Sequence, residues 1–138
     1  MTKLYLPILG EVILIPAVLV VDDFEDLVEI LQMTIEDVCD LKVVGATSFK
    51  QVKEIDFDKY QYKLAILDIN LGASEPNGID VFHFLKEKGF MGEIIFFTGH
   101  AENHPLVKEA AKLNGVRIVN KPIRPDELTS IIRSICAS

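Results

Sequence analysis

The chain has 138 residues, of which 49% are hydrophobic and 25% charged, and it carries a net charge of −7. That length suits one domain with a substantial core, and the composition excludes disorder. With no basic run to neutralise phosphates, the acidic balance argues against non-specific nucleic-acid binding; it fits a soluble protein whose acids aid solubility or attract a cation.

Leu4–Val21 is almost wholly apolar and is about long enough to span a bilayer. Pro7, Gly10, Glu11 and Pro16 interrupt it, only Lys3 precedes it, and Asp22 and Asp23 follow, so neither a membrane span nor an export signal is expected. Ala17–Val21 reads instead as a strand buried on both faces, ending on Asp22-Asp23. Leu27, Leu31, Thr34, Ile35 and Val38 then recur at helical spacing and predict a helix over 24–39. Leu41–Ala46 is a short strand, and Ser48 caps a short helix with Val52 and Ile55 inward. Lys63–Asp68 is a second buried strand that stops abruptly on a carboxylate.

Gly72–Gly78 is a loop by composition. Val81, Phe82, Leu85 and the closing Gly89 mark a helix, and Glu93–Phe97 a strand ending on Thr98. Pro105 opens a helix with Leu106, Ala110 and Leu113 inward, and Asn114-Gly115 ends it. Val116–Val119 is the last strand, followed by Asn120-Lys121-Pro122. Pro125 opens a final helix, with Leu128, Ile131, Ile132 and Ile135 facing in and Asp126 and Glu127 at its positive end. Strand–helix alternation with right-handed crossovers predicts an α/β class, a doubly wound parallel sheet of five strands. Cys39 and Cys136 form no CxxC pair and have no histidine at ligand spacing; two such thiols suit a reducing cytoplasm.

Parallel strands bring Asp22, Asp23, Asp68, Thr98 and Lys121 to one edge of the sheet, where ligands of open α/β sheets collect. Each alone has an ordinary structural explanation: acids start helices, threonine ends strands, and Lys-Pro makes turns. Together they form a set. Clustered carboxylates repel unless a cation joins them, and a hard oxygen site with few carboxylates and water suits Mg²⁺. A lysine and a hydroxyl beside them could bind a phosphoryl group, with a carboxylate as nucleophile.

Val18-Leu19-Val20-Val21-Asp22-Asp23, Leu64-Ala65-Ile66-Leu67-Asp68-Ile69-Asn70-Leu71, Phe96-Phe97-Thr98-Gly99 and Asn120-Lys121-Pro122 resemble the receiver domain of two-component response regulators, over roughly 17–136. The resemblance implies a flavodoxin-like receiver fold with strand order 2-1-3-4-5. It implies a non-enzyme signalling module that takes a phosphoryl group onto Asp68 from a histidine kinase or histidine phosphotransfer protein. Asp23 matches a direct Mg²⁺ ligand, Asp22 one acting through water, and Asn70 the position whose backbone carbonyl binds the metal. Thr98 matches the hydroxyl that moves to the phosphoryl group, and Lys121 the lysine that pairs with it. A cis Lys121-Pro122 bond is implied, and the fourth helix, fifth strand and fifth helix are implied as the readout face toward a downstream protein.

Three features depart from the family pattern. The loop after Asp68 is longer than usual, with Gly72 where proline is common. The segment between Thr98 and Lys121 is also slightly long, and Ile118 stands where an aromatic switch residue belongs. Residues 1–16 form an N-terminal extension ahead of a receiver domain over 17–138; Val12–Ile15 are open to an added edge strand, a dimer contact or an apolar tail from an upstream start codon. His100 lies at the rim of the site as a candidate modulator, whereas His83 and His104 read as surface or helix positions. No output domain follows the fifth helix, so the chain is read either as a stand-alone module acting on a partner or as a receiver excised from a hybrid kinase or longer regulator. Two other classes are weighed: a Mg²⁺-dependent phosphatase with an aspartyl intermediate, which would want an aspartate where Asn70 stands, and a flavodoxin-like cofactor binder, whose phosphate Asp22-Asp23 would repel.

Overall fold

The computed structural model describes residues 3–6, 11–71 and 76–136, with side chains from Leu14 onward. In chain order the elements are β1 (Lys3–Leu6), β2 (Glu11–Leu14), β3 (Pro16–Val21), α1 (Glu25–Cys39), β4 (Lys42–Ala46), α2 (Phe49–Lys53), β5 (Gln61–Asp68), α3 (Gly78–Glu87), β6 (Glu93–Thr98), α4 (Pro105–Ala111), β7 (Val116–Asn120) and α5 (Pro125–Cys136). Five strands form one parallel sheet in the order β4-β3-β5-β6-β7. Counted from β3, that is the expected order 2-1-3-4-5.

The apolar runs are continuous because each central strand serves two cores, its side chains alternating between faces. Val18 and Val20 of β3, Leu64 and Ile66 of β5, and Ile95 and Phe97 of β6 pack with Val28, Leu31 and Ile35 of α1 and Leu128 and Ile132 of α5. Their neighbours Leu19, Val21, Ala65, Leu67, Ile94 and Phe96 join α2, α3 and α4 on the other face. Fully burying each large side chain contributes about 1.5–3 kcal/mol, so the two cores dominate stability.

The stripe on α1 differs from the expected one. Val28, Leu31 and Ile35 are buried, Leu27 is only partly so, and Val38 is 45% exposed. Gly45 on β4 is the reason: its missing side chain makes room for Val28 Cγ1, which a Cβ there would meet at 2.5 Å. On α4, Val107 and Ala110 are buried and Leu106 only partly; Leu113, also partly buried, lies past the end of the helix at Ala111. Helix α1 closes on Asp40 in the left-handed conformation (φ 53°), a role a short polar side chain tolerates.

Residues 11–14 are a strand, yet they pair antiparallel with β1 in a separate two-stranded sheet, Lys3 opposite Leu14. They do not add an edge to the main sheet. The chain enters that sheet at β3, which already has β4 and β5 on either side, and Ile15 O accepts from Gln61 N at 2.9 Å. Gly72 and the rest of 72–75 lie outside the described residues. Among the described residues, no helix is long and apolar enough to cross a membrane.

Candidate functional site

Strand register alone aligns the polar residues. Val21 pairs with Leu67, Asp68 with Phe97 and Thr98 with Asn120, so the residues at or just past these positions share one edge. Asp22, Asp68 and Thr98 are buried there, at 3%, 7% and 1% exposure, while Asp23 is exposed. One carboxylate oxygen from each of Asp22, Asp23 and Asp68 lies within 4.8 Å of the others.

Lys121 Nζ reaches into this group, donating to Asp22 Oδ2 at 2.8 Å and lying 3.5 Å from Asp68 Oδ1. Its backbone is anchored as well: Lys121 N donates to Thr98 O at 2.7 Å, and the Lys121-Pro122 bond is cis, as expected. The other oxygen of Asp22 accepts from Phe24 N at 2.9 Å, fixing the turn into α1. Asp68 Oδ1 accepts from Asn70 N at 3.3 Å.

These contacts do not balance the charge. Burial, and then the Asp22 carboxylate, push the Asp68 carboxyl up to about 7; Lys121 and the Asn70 N–H oppose the rise, and Asp23 adds to it. For Lys121, burial depresses the ammonium's pKa, but the hydrogen bond to Asp22 and the charges of Asp68 and Asp22 outweigh it and leave the group above its ordinary value. Three carboxylates facing one ammonium therefore retain an excess of negative charge in a partly desolvated pocket. Hard oxygen donors with one water-exposed member, Asp23, fit a small divalent cation such as Mg²⁺.

The start of α3 holds Asp68 from behind. Gly78 N donates to Ile69 O at 2.8 Å, and a Cβ on Gly78 would run into the Asp68 carbonyl oxygen. Asn77 Oδ1 accepts from Ile79 N at 2.8 Å and Asp80 N at 3.1 Å, while Asn77 N donates to Asp80 Oδ2 at 2.8 Å. This reciprocal cap fixes where the helix begins. Composition alone places Asn77 and Gly78 in a loop, yet Asn77 is the N-cap and Gly78 the first residue of α3; the Asn-x-x-Asp spacing is the readable signal for it.

At the rim, Thr98 Oγ1 accepts from His100 N at 2.9 Å. His100 Nε2 lies 3.4 Å from Asn70 Nδ2, and its ring stacks on His104, with centroids 4.1 Å apart and planes 18° apart. His104 is the N-cap of α4, its Nδ1 accepting from Leu106 N at 3.2 Å. Exposed His83 sits on the surface beside Phe82, as expected. Ile118 is half-buried and lines a cleft of about 480 Å³ between α4 and β7, together with Val107, Lys108 and Ala111. Beside Lys121 and Pro122, Phe24, Leu27, Ile30 and Leu128 line an apolar groove of about 260 Å³ between α1 and α5.

Residues 18–133 match the family described as response regulator receiver domain. An NtrX-like response regulator of Rickettsia bellii is 28% identical over 119 residues, 86% of this chain and 24% of the relative. The response regulator protein TodT of Pseudomonas putida is 39% identical over 69 residues, 50% of this chain and 29% of the relative. The chain thus spans about a quarter of the curated relatives it matches. The crystal structure of the receiver domain of NtrX from Brucella abortus superposes with a TM-score of 0.71 at 20% identity, covering 88% of this chain and 98% of that one.

Proposed function

The chain belongs to the family of response regulator receiver domains of two-component systems, and on that premise we propose that Asp68 accepts a phosphoryl group from the phosphohistidine of a kinase or phosphotransfer protein. One observation carries the reading. Asp68 is a buried carboxylate at a strand end, 3.5 Å from Lys121 Nζ, with an oxygen within 4.8 Å of one from each of two further acids.

In this reading a carboxylate oxygen of Asp68 attacks phosphorus, the P–N bond to the donor imidazole breaks, and the electron pair stays on that nitrogen. Lys121 sits to pair with a phosphoryl oxygen, and the Asn70 N–H holds the carboxylate in orientation. Asp23 would hold Mg²⁺ directly and Asp22 through water, with Asp68 and the Asn70 carbonyl completing the protein's share. When bound, the ion neutralises charge on the transferring oxygens. Thr98 supplies a hydroxyl that can turn toward the new phosphoryl group, and the added charge shifts the population of conformers around β6 and α4.

The apolar groove beside Lys121 suits docking of the donor, since Phe24 and Ile30 at its lip are 59% and 58% exposed. Residues 17–138 act as the receiver unit in this reading, working in the cytoplasm on a downstream protein, with 1–16 as an extension. A phosphatase using the same aspartyl intermediate is disfavoured by Asn70, whose carboxamide cannot exchange a proton as an aspartate would.

The test is incubation with a small acyl-phosphate donor and Mg²⁺ followed by intact mass. A single phosphoryl adduct is expected in the wild type and none in Asp68→Ala. An adduct that persists in that variant, or its absence from the wild type, removes the assignment.

A further inference from the structure

We propose that the stacked rings of His100 and His104 carry the state of Thr98 to helix α4. The proposal rests on Asp68 accepting a phosphoryl group. Thr98 Oγ1, 1% exposed, is already committed: it accepts the His100 backbone N–H at 2.9 Å. A hydroxyl that turns to donate to a phosphoryl oxygen on Asp68 moves that acceptor away from His100. The donor then seeks another partner, and the loop around it must shift.

His100 is gripped on two further sides. Its Nε2 meets the Asn70 side chain at 3.4 Å, and its face lies on the His104 ring. His104 is in turn tied to the helix, its Nδ1 accepting from Leu106 N and its carbonyl from Lys108 N at 3.0 Å. A shift of the first ring is therefore transmitted to the residue that starts α4. The helix has space to respond, because the cleft of about 480 Å³ against β7 lies along its Val107–Ala111 side. Its buried side chains there are small, Val107 and Ala110, so little interlocks it with the sheet.

The experiment measures amide hydrogen exchange of 106–111 with and without a small acyl-phosphate donor and Mg²⁺, with intact mass giving the phosphorylated fraction. Two variants are compared with the wild type. His104→Asn keeps a capping acceptor but loses the stacking ring, and His100→Ala keeps the cap and the His104 ring but removes the upper ring. Phosphorylation is expected to change exchange in the wild type by at least about fivefold, the lower range of allosteric coupling. Per phosphorylated molecule, each variant should lose more than half of that change in logarithmic terms. A full change in both variants, or no change in a fully phosphorylated wild type, overturns the relay and leaves Asp68 as the acceptor. Absence of an adduct in the wild type overturns both. His104→Asn is expected to gain phosphoryl groups normally, which separates loss of the relay from loss of the chemistry.

Discussion

Gly78→Ala tests how Asp68 is held in place. The added Cβ would collide with the Asp68 carbonyl oxygen and approach its carbonyl carbon at 2.9 Å and Ile69 Cα at 3.0 Å. All three are backbone atoms of the strand end, so none can rotate aside. Since comfortable carbon contacts begin at about 3.5 Å, the start of α3 must retreat by at least about half an ångström, and by more against the oxygen. The Gly78 N to Ile69 O bond, 2.8 Å long, would stretch toward the limit of a useful hydrogen bond. Overpacking of this kind costs about 1–3 kcal/mol and the weakened bond about 1 more, while alanine's gain in the unfolded state returns about 0.5–1. The net expectation is a loss of about 1–3 kcal/mol, read as a urea midpoint lower by about 1 M. Because the displaced atoms include the backbone of Asp68, phosphoryl uptake from a small donor should also slow by about tenfold or more. Gly99 is the control: it borders the same edge with nothing within 4 Å of an added Cβ, so Gly99→Ala should stay within about 0.5 kcal/mol of the wild type. A Gly78→Ala protein with the midpoint and uptake of the wild type would refute the argument that α3 buttresses Asp68.

Lys121→Ala removes the ammonium paired with both buried carboxylates, and it should lower the thermal midpoint without Mg²⁺ yet gain more from added Mg²⁺ than the wild type does; a smaller Mg²⁺ effect in the variant contradicts the charge balance described. The same variant, once phosphorylated, should bind partners less well, since the phosphoryl contact is lost. Tyr62 is held up to about 12 by burial first, then by Tyr60 and Asp56. The folded state thus keeps its proton where the unfolded chain, near 10, has lost it. That stabilisation is whole below pH 10 and is lost as pH rises from there toward 12, so Tyr62→Phe should flatten the fall of the urea midpoint across that window. An equally steep fall in the phenylalanine variant would assign the alkaline loss to other groups.

Much of this molecule was legible because its strands are buried on both faces. Runs such as Leu64–Leu67 have no polar interruption, so their ends are sharp, and the residues past those ends lie on one edge of the sheet as expected. Helix faces were harder to place. Val28 was overlooked because its burial depends on Gly45, a residue on another strand that only the folded sheet brings beside it. Asn77 and Gly78 were hidden in a polar stretch for a similar reason: the capping signal was local, but the need for glycine comes from the Asp68 carbonyl. His104 read as a surface or helix position because nothing in its neighbourhood in sequence announces that its ring meets His100 or that its Nδ1 caps α4. The antiparallel pair of β1 and β2 was legible only in part. Val12–Ile15 suggested a strand, but its partner, Lys3–Leu6, is set by tertiary pairing that its own residues do not signal.

The hydrogen bond between Lys121 and Asp22 joins residues 99 positions apart in the chain. A nascent chain leaves the ribosome with its acids first: Asp22, Asp23 and Asp68 can meet once β3 and β5 have paired, but their cation is made last, at the end of β7. Until then the acids repel one another with no lysine between them, and closing that long loop is the step that joins the two sets of charges. On the proposed reading, competence to take and hold a phosphoryl group is therefore tied to synthesis through residue 121. A chain that stops before residue 121 would carry Asp68 without the lysine that pairs with it, and on that reading would not work as a receiver.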